Sequence, residues 1–333
     1  MKEILVQANE AGQRLDKLLA KVMPQAPKSF LYKMLRKKNI TLNDKKAEGS
    51  EKLEPGDTVR LWLSEETLAK FAGGITVFPD QKESSKLPPL DILYEDNHVL
   101  ILNKAPGVLS QKARPEDISI VEQVIAYEMK RGRATETSLQ TFRPSVCNRL
   151  DRNTSGILIA GVSLVGLQTM SALLKERSLH KYYYCLVIGH VTEKQYVEGY
   201  LTKNEKSNRV SITKNPTGPD AQMIKTAYEP IGSNGKVTLL RVLLITGRSH
   251  QIRAHLASEG HPIVGDEKYG NRERNARYRK QYGLTSQFLH AFRLEMPDIT
   301  GELSYLSGKV IEAPLPMLFR TILEGEEIRF HNW

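Results

Sequence analysis

Apolar residues fall at helical spacing near the start of the chain. Leu15, Leu18, Leu19 and Val22 predict a helix over 14–22 that Pro24 ends. Ser29 stands where a cap would open a second helix, with Leu31, Met34 and Leu35 facing inward and Lys33, Arg36, Lys37 and Lys38 outward. Alternation then takes over. Ile40 and Leu42 begin a short strand, and beyond a turn at Pro55, Gly56 and Asp57 the residues Val59, Leu61 and Leu63 line one face of another. Residues 64–89 lose both periods and become polar and broken by glycine and proline, the pattern of a linker.

A second patterned region runs over 90–325. His98 to Leu102 reads as a strand, and Val121, Val124, Ile125 and Met129 place a helix at 118–131. Ile157 to Ala160 reads as a buried strand, followed by a helix near 164–176. The segment 181–189 is rich in aromatic and β-branched residues, a strand that stops at Gly189. Strand-like runs recur near 196, 209, 222 and 237. Residues 243–266 pass from strand through Gly247 into a helix that Gly260 would end. Periodicity thus gives an α+β chain with a small unit at 12–63, a linker at 64–89 and a large unit at 90–325.

Composition narrows the function classes. The chain has 333 residues, 40% hydrophobic and 26% charged, in the ordinary globular range. No apolar run approaches a membrane span, and the first residues mix in Glu3 and Glu10 without a signal pattern, so a cytoplasmic protein is expected. Cys147 and Cys185 suggest neither a disulfide framework nor a metal cluster. His250 and His255 are wrongly spaced for a helical zinc pair, so no metal is expected.

The net charge of +10 points to a polyanionic partner, and its distribution sharpens this. Residues 12–63 hold twelve Lys and Arg against six Asp and Glu, a local +6; residues 271–280 hold five against one, a local +4. Two separated basic patches suit a long ligand. For 271–280 a flexible charged loop fits nearly as well, with Tyr278 and Tyr282 nearby for stacking if the polyanion carries bases.

The candidate chemistry centres on Asp151. It lies between Arg149 and Arg152 and is followed by the turn Asn153, Thr154, Ser155 and Gly156. A carboxylate on a tight loop at a strand edge, held ionised by flanking guanidinium groups, can act as a nucleophile or base without a cofactor. A solvated charge cluster capping a turn would carry the same residues. What separates the two lies elsewhere in the chain.

Residues 12–63, with Arg14, Lys17, Ser29, Lys33, Arg36 and Lys37 as candidate RNA contacts, resemble the S4 RNA-binding domain. Residues 90–325 resemble the RluA family of RNA pseudouridine synthases. The motifs that carry this come in order: Tyr94 to Asp96 with Asn103 and Lys104; Arg149 to Arg152 with Thr154 to Gly156; Lys181, Tyr183 and Gly189; Thr246 to Arg253 with His255; His261 to Ile263 with Gly265 and Asp266; and Leu289 to Ala291. Asn148 and Asn153 stand where that family usually has histidine and aspartate, Ala105 and Pro106 alter the lysine loop, and Gln111 replaces a common histidine.

The resemblance implies a mixed, mainly antiparallel sheet and isomerisation of uridine in RNA, ribosomal above all, by a monomer without cofactors. It implies Asp151 as nucleophile toward either ribose C1′ or the uracil ring, with Tyr183 against the base and Arg253 paired with Asp151. Lys104, Arg149, Arg152, Thr154, Gly156, Arg248, His250, Gln251 and Ile252 are the expected supporting residues. Arg272, Arg274 and Arg277 are the expected RNA contacts of the second basic patch. Two other readings share these features: a non-catalytic ribosome-assembly factor on the same fold, and a synthase acting on transfer RNA.

Overall fold

The computed structural model describes residues 1–7, 9–71, 89–204 and 209–329. Its first unit packs α1 (Leu15–Val22) and α2 (Lys28–Arg36) on a small antiparallel sheet, because both helices present a leucine stripe. That sheet runs β1 (Lys2–Leu5), β4 (Thr58–Leu61), β2 (Ile40–Leu42) and β3 (Lys45–Lys46) in spatial order. Strand β1 lies ahead of the expected start at residue 12, pairing along β4 from Lys2–Leu61 to Leu5–Thr58.

Ser29 does not cap α2. The helix begins two residues earlier, at Lys28 with Pro27 at the cap position, so Ser29 is an exposed residue of its first turn. Of the expected linker, Glu65–Phe71 forms α3, whose Leu68 and Phe71 pack on the first core; residues 72–88 lie outside the described residues.

The second unit is built on a long mixed sheet. Its strands are β5 (Ile92–Glu95), β6 (Val99–Lys104), β7 (Ser145–Val146), β8 (Ser155–Gly161), β9 (His180–Ile188), β10 (Gln195–Asn204), β11 (Arg209–Thr213), β12 (Gln222–Ser233), β13 (Val237–Leu244), β14 (Leu289–Glu295) and β15 (Val310–Glu312). The main order is β11-β10-β12-β13-β9-β14-β8-β6-β5, with β7 and β15 pairing off that path. Among the described residues every named strand pair is antiparallel except β8 with β14. The α+β reading and the mainly antiparallel sheet therefore hold.

Around this sheet lie α4 (Ile120–Lys130), α5 (Leu164–Glu176), α6 (Gln251–Ser258), α7 (Arg272–Tyr282) and α8 (Met317–Gly325). Residues 271–280 are not a loop. Asn271 caps α7 by accepting from the Arg274 N–H, and Gly283 closes it in a left-handed conformation. Tyr278 is 3% exposed on the inner face of α7, so it is not available for stacking on a base. The units touch where the Thr141 hydroxyl donates to the buried Glu10 carboxylate. None of the described helices is long and apolar enough to cross a membrane.

The β8–β14 junction sets the position of the loop that carries Asp151. Gly156 has φ +106°, and a Cβ there would lie 2.2 Å from the Ala291 carbonyl oxygen of β14. Beside it, His290 of β14 holds the Ser155 hydroxyl at 2.9 Å. Strand β8 thus starts at a fixed point, and the loop ahead of it ends there.

Candidate active site

Asp151 lies in the loop before β8, where its backbone carbonyl accepts from Thr154 N at 3.0 Å and Thr154 Oγ1 accepts from Gln287 at 3.2 Å. Asn148 secures the loop's other end: its Oδ1 accepts from Ile159 N at 2.8 Å. An amide thus does structural work at the position where the resembled family has histidine. Lys104, only 1% exposed, clamps the same loop from behind. Its ammonium donates to the carbonyls of Ala105, Val108 and Arg152, each at 2.9 Å. Burial pulls its pKa down to about 7, while Asp151 favours the charged form.

The cation that meets Asp151 comes from 102 residues away. Arg253, on the first turns of α6, donates from NH1 to Asp151 Oδ2 at 2.7 Å. Its other edge is held bidentately by Asp266, through Nε at 2.7 Å and NH2 at 3.0 Å. Burial opposes the charge on Arg253, but the two carboxylates outweigh it and hold the guanidinium pKa above its ordinary value. Burial likewise opposes ionising Asp266; Arg253 and the N–H groups of Lys268 and Tyr269 outweigh it and keep the carboxyl below its usual range. Arg149 and Arg152, expected from their position in the chain to be the partners of Asp151, are instead exposed. They line the cleft.

That cleft has a volume of about 740 Å³ and opens in front of Asp151. Eight cationic side chains line it: Lys112, Arg149, Arg152, Lys175, Arg177, Lys181, Lys203 and Arg248. Asp151 is the one carboxylate among the lining residues. Tyr183 of β9 forms part of the wall and is 5% exposed. Burial first, and the Asp151 charge second, push its pKa upward, so at neutral pH it is a phenol. It can donate or relay a proton but is not a standing base. Lys181, on the same face of β9, has its pKa lowered by burial.

The remaining expected residues divide by role. Gln251 is 2% exposed and ties α6 to the sheet, accepting from Thr246 Oγ1 at 2.8 Å and donating to the Lys225 carbonyl at 3.0 Å. Ile252 is core. Arg248 is exposed at the rim, its backbone N–H donating to Gln251. His250 caps α6 in a left-handed conformation, with Nε2 3.9 Å from Asp151 Oδ2 and Nδ1 2.9 Å from the Tyr269 hydroxyl. Arg272, Arg274 and Arg277 are exposed on α7, and Arg14, Lys17, Lys33, Arg36 and Lys37 on the first unit.

Sequence reasoning passed over Tyr269, for which no periodic signal exists, and gave Asp266 only a place in a motif. An acidic residue followed three positions later by an aromatic, just beyond the helix that carries Arg253, was the available clue.

The model of the family described as RNA pseudouridylate synthase matches residues 98–258, and that of the S4 domain matches residues 13–59. The ribosomal large subunit pseudouridine synthase C of Vibrio cholerae is 33% identical over 293 residues, covering 86% of this chain and 85% of the relative. Its counterpart in Escherichia coli is 31% identical over 334 residues, covering 95% and 93%. Among solved structures, human RNA pseudouridylate synthase domain containing 4 shares the fold, with a TM-score of 0.58 and 20% identity over 73% of this chain and 95% of its own. Similarity at that level along most of both chains, together with the ordered motifs around Asp151, places this protein in the RNA pseudouridylate synthase family, as an RNA pseudouridine synthase carrying an S4 domain.

Proposed function

We propose that the enzyme isomerises uridine in the RNA of the large ribosomal subunit, acting as a monomer with Asp151 as nucleophile on an extruded base. The observation that carries this reading is a single carboxylate, fixed by a buried arginine, at the floor of a cleft lined by eight cations. Such a cleft attracts a polyanion, and its one anion is placed to react rather than to bind phosphate. That the similar proteins of Vibrio cholerae and Escherichia coli are ribosomal large subunit pseudouridine synthases supports the ribosomal substrate.

The reaction is an isomerisation, so atoms and electrons must balance within the nucleotide. The N1–C1′ bond breaks with its electron pair going to the uracil, the base turns, and a C5–C1′ bond forms. C5 then loses a proton and N1 gains one. Asp151 either attacks C1′, carrying the ribose while the uracil turns, or adds to the uracil ring. Arg253 orients the carboxylate in both cases. Tyr183, as a phenol, supports the base and relays the proton at C5.

A base in folded RNA must leave its stack to reach Asp151, at a cost of a few kcal/mol. The basic faces of α2 and α7, with Arg36 and Lys33 on one and Arg272, Arg274 and Arg277 on the other, are the RNA contacts that offset it. The test is to map pseudouridines in ribosomal and transfer RNA from cells with and without the gene. Loss of specific pseudouridines from large-subunit RNA is expected. Loss confined to transfer RNA would move the substrate, and no loss from either would overturn the reading.

A further inference from the structure

Tyr269 occupies a point where three elements meet, and its hydroxyl is held between two nitrogens. It follows Asp266 in the turn before α7, its N–H donating to Asp266 Oδ1 at 3.0 Å. Its ring lies under two arginines, 5.3 Å from the Arg253 guanidinium carbon and 5.7 Å from that of Arg209 on β11. Its oxygen lies 2.9 Å from Val210 N and 2.9 Å from His250 Nδ1.

The Val210 N–H can only donate, so it takes one lone pair of the phenol oxygen. The phenol keeps its proton, burial having raised its pKa. Directed to His250 Nδ1, that proton satisfies both groups. The reverse pattern, an Nδ1–H donating to the phenol, would turn the phenol proton away from both nitrogens toward solvent. It would also aim an Nε2 lone pair at the Asp151 carboxylate.

His250 itself is neutral near pH 7, since burial, with Arg253 and Lys268 nearby, lowers its pKa against the opposing pull of Asp151 and Asp266. Its proton therefore sits on Nε2, facing Asp151 Oδ2 at 3.9 Å. Asp151 Oδ2 thus meets both Arg253 and His250, while Oδ1 has no hydrogen-bond partner among the described residues.

We propose that Tyr269 and His250 form a positioning pair for the isomerisation: Tyr269 locks His250 in the Nε2–H tautomer turned on Oδ2, which leaves Oδ1 of Asp151 as the attacking oxygen. The proposal rests on Asp151 being the nucleophile. Tyr269 lies behind the cleft wall and acts through His250, which borders the cleft and acts on the carboxylate.

Nitrogen-15 NMR of the full-length enzyme labelled at histidine reads the tautomer directly. The His250 ring is expected to show the Nε2–H pattern, and Tyr269→Phe, which keeps the ring under both arginines, is expected to shift it toward a mixture. In single-turnover assays on large-subunit RNA, Tyr269→Phe should slow conversion by about tenfold or more, with RNA affinity unchanged. His250→Gln, which keeps a donor near Oδ2, should retain more activity than His250→Ala. A wild-type Nδ1–H tautomer, or an unaltered rate in Tyr269→Phe, would overturn the pair. Because Asp151→Asn is assayed beside them, a live Asp151→Asn enzyme would remove the underlying reading, whereas a dead one with unaffected Tyr269→Phe would remove only the pair.

Discussion

The cleft around Asp151 and the faces of α2 and α7 both carry excess arginine and lysine, yet they use it differently. On the helices the cations are exposed: Lys33, Arg36, Arg272, Arg274 and Arg277 all face water. At the floor of the cleft, Arg253 is buried, with Asp266 on one edge and Asp151 on the other. An exposed cation works by number and proximity and is screened by salt; a buried, bidentate one works by geometry. The helices should therefore govern how tightly RNA binds, and the cleft how fast it reacts.

The largest effect should follow from breaking the buried side. Arg253→Gln would strip Asp266, which has no exposed surface, of its counter-ion and lower stability by about 3–5 kcal/mol. Turnover should fall by about a thousandfold, read in single-turnover assays. If a folded Arg253→Gln enzyme kept its rate, the geometric half of the contrast would fail.

Lys104→Met comes next. It removes the ammonium that draws the Ala105, Val108 and Arg152 carbonyls together, and so frees the loop carrying Asp151 without touching the cleft wall. Stability should drop by about 2 kcal/mol in denaturant titrations. The rate should fall by about a hundredfold at saturating RNA.

The exposed side should behave oppositely. Replacing Arg272, Arg274 and Arg277 by alanine should weaken RNA binding and flatten its salt dependence by about one unit of logarithmic slope for each phosphate that is no longer neutralised. The rate on saturating RNA should stay at the wild-type value. A lower saturated rate would show that α7 also shapes the site, a route that exists in the Asn275 side chain, which bridges Gly265 N and the Asp266 carbonyl.

The smallest effect is absent at neutral pH. Burial lowers the pKa of both His255 and His290 to about 4 from 6.5. Both states are neutral above 6.5, so neither residue makes stability depend on pH there. Between 6.5 and 4 the unfolded chain binds protons that the folded chain refuses, so stability falls as pH drops. His290→Asn should flatten that fall in thermal melts across the window.

How far the sequence disclosed this contrast can be judged residue by residue. The strand expected at 181–189, found at His180–Ile188, was legible from its aromatic and β-branched composition, and the helix at 164–176 matched its expected bounds. The helix at 272–282 was not, since its mean character is charged and only Asn275 and Tyr278 turn inward. The same fact put Tyr278 wrongly among exposed residues. Arg149 and Arg152 drew attention as neighbours of Asp151 in the chain, but neighbours on a tight loop diverge. The fold brings Arg253 of α6 to Asp151 from 102 residues away, a distance that no local pattern encodes. Arg253 was reachable only through the ordered motifs, and Tyr269 was missed.

One measurement bears most directly on the central claim that a single fixed carboxylate performs the chemistry. Asp151→Asn keeps the shape of the side chain and removes its charge. Purified and mixed with large-subunit RNA, it should form no pseudouridine while binding that RNA about as tightly as the wild type. Pseudouridine formation by the Asp151→Asn enzyme at a rate near that of the wild type would contradict the account.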